Sequence, residues 1–288
     1  MIVKCLREKI NEHENFIVQV LPQWPKKLVF DSKSYYFMKQ FLLFIFLFVS
    51  IPLLSSAQNL SAKEIVKKAE EKMQGEKSSY SVMTIQIVRP TWTRTISIKA
   101  WTLGKDYALS LITSPAAEKG KSFLKRQKEM WSWDPTISRM IKMPPSMLSE
   151  GWMGSDFTND DMLNSTSLAN DFNQKILGEE IFEQFKCFKI EMIPLENSAV
   201  VWGKIILWVS ENDFLQLKTE YYDDDLILVK TELAHDIKIM DNRKIPTRFE
   251  IIPAETKGNK TIVIINDIKF NIDIKESFFA QQNMKNVR

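Results

Sequence analysis

His235 and Cys187 are the only histidine and cysteine beyond residue 57; the others are His13 and Cys5. A Ser-His-Asp relay would have to use His235. That residue stands in Leu233-Ala234-His235-Asp236-Ile237 at the end of a strand pattern, and no Gly-x-Ser-x-Gly turn occurs to present a nucleophile. His235 therefore reads as a structural or surface histidine, with a hydrolase as the alternative that His235→Ala would test. One histidine and one cysteine cannot make the usual zinc sets, and Cys187, between Lys186 and Phe188, reads as a small buried hydrophobe. Asp160-Asp161 and Asp223-Asp224-Asp225 are the acidic clusters that could hold a hard cation. Neither has the loop order of a calcium site, and aspartates between strand patterns favour tight turns. No metal and no cofactor are expected, and nothing favours paired carboxylates for glycoside chemistry.

The remaining chemistry is that of an apolar surface. Gly120 to Leu163 contains Trp131, Trp133 and Trp152 among methionines. Trp131 and Trp133 alternate with Met130 and Ser132, and Ile141 and Met143 with Met140 and Lys142, the period-two signature of strands joined at Asp134-Pro135. Pro144 to Phe157 has no period. It carries Met147, Leu148, Trp152, Met153 and Phe157, with Gly151 and Gly154 on either side of Trp152-Met153, which suits a lid hinged at the two glycines. A tip of that kind would contribute little to core stability. Methionine adapts to irregular apolar shapes and tryptophan supplies area, so the expected site is a greasy, adjustable cavity. Its lining is assigned to Trp101, Leu109, Leu111, Phe123, Trp131, Trp133, Ile141 and Met143. Lys119, Lys121, Lys125, Arg126 and Lys128 form a basic cluster that reads as a solvated strand face, or more sharply as a docking patch for a membrane partner.

These residues must be held by a sheet. Ser61-Ala62-Lys63-Glu64 has the spacing of a capping box, and Ala62, Ile65, Val66, Ala69 and Met73 then make one apolar stripe up to Gly75, an amphipathic helix. After it the period becomes two. Strand patterns run over Tyr80–Val88, Thr93–Leu103, Tyr107–Thr113, Ser122–Gln127, Met130–Trp133, Arg139–Met143, Lys175–Phe182, Phe188–Ile193, Lys204–Val209, Phe214–Tyr222, Ile227–His235, Arg248–Ile252 and Thr261–Phe270. Ile205 to Val209 has two dry faces, as a strand between a helix and an apolar interior requires. Ser167–Asn173 and Glu276–Gln282 are candidate short helices. Asn242-Arg243 and Lys257-Gly258-Asn259 read as hairpin turns, and Gln281–Arg288 as a frayed polar tail.

The order Met130-Trp131-Ser132-Trp133-Asp134-Pro135, Arg139-Met140-Ile141-Lys142-Met143-Pro144, then Gly154-Ser155-Asp156-Phe157 and Asp160-Asp161, resembles the outer-membrane lipoprotein-sorting family of LolA-like periplasmic carriers. The resemblance covers roughly Ser61 to the C-terminus. It implies a mainly β fold, a strongly curved antiparallel sheet or incomplete barrel of about eleven strands, with an N-terminal helix and a lid over an apolar cavity. It also implies a non-enzymatic carrier for the acyl chains of a lipoprotein or other lipid, served by an inner-membrane transporter, or alternatively a lipid-sensing regulatory domain. Asp156 and Asp160-Asp161 match acidic motif positions and are expected to cap a short helix or pin the loop to the barrel. Arg89 and Arg94 are the candidates for an arginine that latches the lid.

Met38 to Ala57 reads as a secretory signal peptide, with Lys39 as its charged start, Phe41 to Leu54 as its apolar stretch and Ser55-Ser56-Ala57 as its cleavage site. On this reading Met38 is the true start, residues 1–37 are untranslated, and residues 58–288 form one periplasmic domain, a monomer. Gln58 and Asn59 stand where a lipoprotein would carry cysteine, and only Cys187 remains, so no intrachain disulfide is expected. Seven of the 39 basic and four of the 36 acidic residues precede Gln58, which leaves the rest formally neutral. A neutral domain argues against nucleic acid as its partner.

Overall fold

The computed structural model describes residues 60–288 except 75–76, 149, 164–166, 197 and 199, and leaves aside the side chains of 145, 160 and 163. The signal peptide, the start at Met38 and the helix stop at Gly75 lie outside the described residues. Helix α1 (Ala62–Gln74) begins with the expected capping box. The Ser61 amide donates to Glu64 Oε2 at 2.8 Å, and the Glu64 amide donates to Ser61 Oγ at 3.3 Å.

Among the described residues thirteen strands follow, one for each strand pattern in the sequence and two more than the resemblance implies. They are β1 (Ser78–Arg89), β2 (Trp92–Leu103), β3 (Tyr107–Ser114), β4 (Ser122–Arg126), β5 (Glu129–Asp134), β6 (Arg139–Lys142) and β7 (Phe172–Phe182). The series continues with β8 (Phe185–Pro194), β9 (Lys204–Ser210), β10 (Gln216–Tyr222), β11 (Leu228–Met240), β12 (Arg243–Pro253) and β13 (Lys260–Phe270). All belong to one antiparallel sheet in the order β6-β5-β4-β3-β2-β1-β13-β12-β11-β10-β9-β8-β7. Two meanders therefore meet where β1 pairs with β13, and β6 and β7 are left as open edges.

That topology dictates the path of the chain between β6 and β7. Residues 143–171 must travel from one edge of the sheet to the other, and they do so across the face that also carries α1. This crossover contains 3-10 turns at Pro145–Met147 and Trp152–Gly154 and the short helix α2 (Asn159–Leu163). On the same face α1 buries Ile65, Val66 and Ala69 against Ile190 and Met192 of β8 and Ile205, Leu207 and Val209 of β9. Ile205, Leu207 and Val209 face the helix while Ile206 and Trp208 pack on the other side, so β9 has the two dry faces its sequence predicts.

Departures from expectation are local. Residues 167–170 form a turn and β7 begins at Phe172, where a short helix over Ser167–Asn173 was expected. The β11–β12 turn falls on Asp241-Asn242, one residue earlier than expected, with φ of 46° and 63° at the two positions. Both residue types tolerate that left-handed region, as a two-residue hairpin loop requires. The C-terminal residues are not a frayed tail. They make 3-10 segments Glu276–Phe279 and Gln281–Lys285 that bury Phe279 and Met284 against the sheet.

Candidate functional site

Strand parity divides the expected cavity residues between the two faces of the sheet. Trp131 and Trp133 do share a side, but it is the side opposite the crossover. There Trp101, Leu109, Leu124, Trp131 and Trp133 pack with Phe278, Phe279 and Met284 of the C-terminal segment. The Trp101 ring lies 5.6 Å from that of Phe278, and Lys285 Nζ lies 4.9 Å from the ring of Trp133. Leu111 shares the parity of Leu109. Ile141 is 41 % exposed. Of the expected lining, Phe123 and Met143 alone pack on the crossover face, together with Met130, Ile85, Ile98 and Trp152.

The expected lid is also placed differently. Trp152 is fully buried. Its ring stacks on Phe157 at 5.5 Å and meets the edge of Phe123 at 5.3 Å, and Leu148 and Met153 pack into the same cluster. A loop residue enters the core here because the crossover is forced over the sheet face and has to cover Ile85, Ile87, Ile96 and Ile98. The backbone around it is tightly bound. Gly151 bridges Thr158, the Trp152 amide donates to Phe157 O at 2.8 Å, and the Asn159 amide donates to Glu150 O at 2.9 Å. Ser155 Oγ donates to Trp152 O at 2.6 Å, and the Asn159 side-chain amide donates to Met147 O at 2.8 Å. A Cβ on Gly151 would come within 2.7 Å of Ser155 O, so glycine is needed there for close approach rather than for hinging. Gly154, at φ 77°, does occupy the left-handed region.

Both candidate arginines grip this loop. Arg89 donates to Gly154 O at 2.8 Å and pairs with Asp156 Oδ2 at 3.0 Å. Asp156 Oδ2 also accepts from Thr261 Oγ1 at 2.7 Å. Arg94 donates to Met153 O and lies 3.5 Å from Glu118 Oε1. Among the described residues, Arg94 Nε, Glu118 Oε2 and Trp152 Nε1 are buried without a hydrogen-bond partner, and all three belong to this region. The motif acid Asp161 caps α2 reciprocally with Thr158: the Thr158 amide donates to Asp161 Oδ2 at 2.8 Å, and the Asp161 amide donates to Thr158 Oγ1 at 3.0 Å. Lys230 Nζ, from β11, also donates to Asp161 Oδ2, at 2.7 Å. Asp161 thus both caps the helix and ties the crossover to the sheet. The Asp160 side chain is not described.

Between α1, the crossover and the sheet lies a cavity of about 510 Å³. Its apolar wall includes Met73, Met83, Ile85, Ile98, Ile251 and Val263, and Phe157, backed by Trp152, closes one part of it. One corner is polar, with Asp161, Tyr221, Lys230 and Glu232. Burial is the main influence on two of these groups. It lifts the Tyr221 hydroxyl well above its ordinary range, and it raises the Glu232 carboxyl although Lys230 and the Tyr221 hydroxyl pull that group the other way. Phe157 and Asp161 stood out in the sequence as lid and motif residues; the rest of the lining was missed because it is gathered largely from α1 and from strands β1, β2 and β9 to β13. The two dry faces of β9 were the available signal, since they require a covered interior beside Ile205.

The other sites considered are occupied by ordinary structure. His235 Nδ1 lies 3.2 Å from Glu183 Oε1. Cys187 is buried and free, with burial raising its thiol pKa. Asp223 Oδ1 accepts from the Ile227 amide in the β10–β11 turn. Among the described residues, no three His, Cys, Asp or Glu side chains are grouped to hold a metal. Within the basic cluster, Lys121 pairs with Asp134 and Arg126 with Glu276.

A family model described as an uncharacterized-protein-like family matches residues 104–286. An uncharacterized protein of Methanocaldococcus jannaschii is 24% identical over 218 residues, which are 75% of this chain and 59% of that protein. The chain thus spans about three-fifths of the length of that curated relative. The fold is that of a DUF1329 family protein from Desulfovibrio piger, with TM-score 0.70, 21% identity and coverage of 77% of this chain and 97% of that one. It is also that of an outer membrane lipoprotein-sorting protein domain from Vibrio parahaemolyticus, with TM-score 0.67, 21% identity and coverage of 78% and 98%. A LolA superfamily protein from Nitrosomonas europaea matches with TM-score 0.66, 22% identity and coverage of 77% and 99%.

Proposed function

We propose that this chain, which belongs to the family matched over residues 104–286 and has the LolA-like fold, carries a lipid or lipoprotein acyl chain through the periplasm toward the outer membrane. The observation that carries this reading is the cavity of about 510 Å³ with its wall of Met, Ile, Val and Phe side chains. That volume lies in the range of pockets that bury a small organic ligand. Each methylene moved from water into it gains about 0.8 kcal/mol, so a chain of ordinary length is held without any covalent step.

Release needs a wall that moves, and the crossover loop supplies it. Arg89 and Arg94 hold the loop through the carbonyls of Gly154 and Met153, while Trp152 and Phe157 fill the space beneath. Arg94 Nε, Glu118 Oε2 and Trp152 Nε1, which have no protein partner in the closed arrangement, would reach water on opening. In this reading Phe157 is the side chain the cargo displaces, with Trp152 as its support. The segment from Met38 to Ala57 exports the chain, which then starts at Gln58 and meets an inner-membrane transporter as donor. The test is transfer of a fluorescent long-chain lipid between two vesicle populations that cannot fuse. A carrier accelerates transfer in proportion to protein concentration, whereas a rate unchanged by added protein removes the reading.

A further inference from the structure

The polar corner of the cavity has an unequal charge balance. Lys230 is committed within the protein. Its Nζ donates to Asp161 Oδ2 at 2.7 Å and lies 4.8 Å from the ring of Trp202 and 5.0 Å from that of Tyr221. The two rings are themselves 5.0 Å apart, so the ammonium fills an aromatic cleft and Asp161 answers its charge. Glu70 is likewise engaged. Its carboxylate accepts from the amides of Leu168 and Ala169 and lies 3.6 Å from Lys105 Nζ. Lys218 sends its ammonium to Glu220 and over Trp208, outside the cavity.

Glu232 is left. Its Oε2 accepts from the Tyr221 hydroxyl at 3.2 Å, and among the described residues that is its one hydrogen bond. Burial holds the carboxyl above its usual range, the mark of a negative charge short of solvation. Asp161 and Trp202 of this corner are the chain neighbours of Met162 and Val201, the most exposed of the apolar lining residues.

We propose that the cargo is an amphiphile whose head group carries an ammonium, which pairs with Glu232 in this polar corner while its chain runs toward Met73, Met83, Ile85 and Val263. A head group bearing only carboxylate or phosphate would meet Glu232 and, among the described residues, find no uncommitted cation in this corner to answer it. The inference rests on the carrier reading above and names the class of lipid that carrier takes.

Dodecylammonium, dodecanol and dodecanoate share one tail and differ in head charge. Their binding to the protein at neutral pH is measured by calorimetry, for the wild type, Glu232→Gln and Glu232→Asp. Dodecylammonium should bind about tenfold or more tighter than dodecanoate, with dodecanol between them. Glu232→Gln should remove the preference between the three head groups, while Glu232→Asp should keep part of it. Equal affinities in the wild type, or a preference for dodecanoate, overturn the ammonium assignment and leave the apolar cavity standing. Failure of all three to bind defeats the carrier reading itself. If Glu232→Gln does not fold, the wild-type series alone decides.

Discussion

Replacing Trp152 tests whether the crossover is part of the core. The side chain is fully buried, stacked on Phe157 and edge-on to Phe123, and it lies over Ile85, Ile87, Ile96 and Ile98. Truncating a buried aromatic residue to alanine costs about 3–5 kcal/mol, of which each ring pair contributes about 0.5–1.5 beyond its area. For a domain of this size, about 2–4 °C of melting temperature is lost per kcal/mol, so Trp152→Ala should melt about 6–20 °C below the wild type. Trp152→Phe is the discriminating partner. It gives up part of the buried ring, but it keeps both ring contacts and removes the indole N–H that has no acceptor, a relief of about 1–3 kcal/mol. The two changes oppose each other, and Trp152→Phe should fall within about 1.5 kcal/mol of the wild type. Urea denaturation followed by circular dichroism measures both. A Trp152→Ala protein as stable as the wild type, or a Trp152→Phe protein as damaged as Trp152→Ala, would refute the packing argument.

Three further outcomes follow from the same geometry. Asp156→Asn removes the carboxylate beside the largely buried Arg89 and should destabilise the protein by up to about 3–5 kcal/mol, with earlier proteolytic cutting between Met147 and Thr158 than elsewhere. Cutting that is unchanged there would count against the latch. Burial lowers Lys125 from 10.5 to about 8, so between those values the unfolded chain binds the extra proton and stability rises with pH. Melting curves for Lys125→Met should lack that part of the alkaline rise, and identical pH profiles would contradict the shift. Glu232 is raised instead, so its ionisation costs stability above the ordinary carboxylate range and the cost disappears as pH falls. Glu232→Gln should therefore melt higher than the wild type at neutral pH and lose that advantage in acid, whereas a lower melting temperature at neutral pH would contradict it.

Much of the sheet was legible because period two is a local property. Each of the thirteen strand patterns became a strand, and Ser61 and Glu64 formed their box, since both signals are complete within a few residues. Parity showed that Trp131 and Trp133 share a side, yet it could not say which side is the cavity. Both faces of β2–β5 are covered, one by Trp152 and the other by Phe279 and Met284; Phe279 falls in the expected short helix, but Met284 lies in a stretch that looks like a polar tail because it has no repeat. Gly151 and Gly154 suggested a hinge. Only the tertiary approach of Ser155 O shows that Gly151 is there for space. The cavity corner was legible only at Asp161, because Trp202, Tyr221 and Glu232 meet it through the tertiary fold rather than through spacing.

The most direct test of the central claim is whether one lipid sits in this cavity. Ala234 lines it on β11 with the parity of Lys230 and Glu232, so Ala234→Trp places an indole in the space the chain would fill. Native mass spectrometry of the purified protein should then show one bound lipid on the wild type and none on Ala234→Trp, with both proteins folded by circular dichroism. A wild-type protein free of lipid even after incubation with lipid vesicles, or a lipid retained equally by Ala234→Trp, would contradict the account.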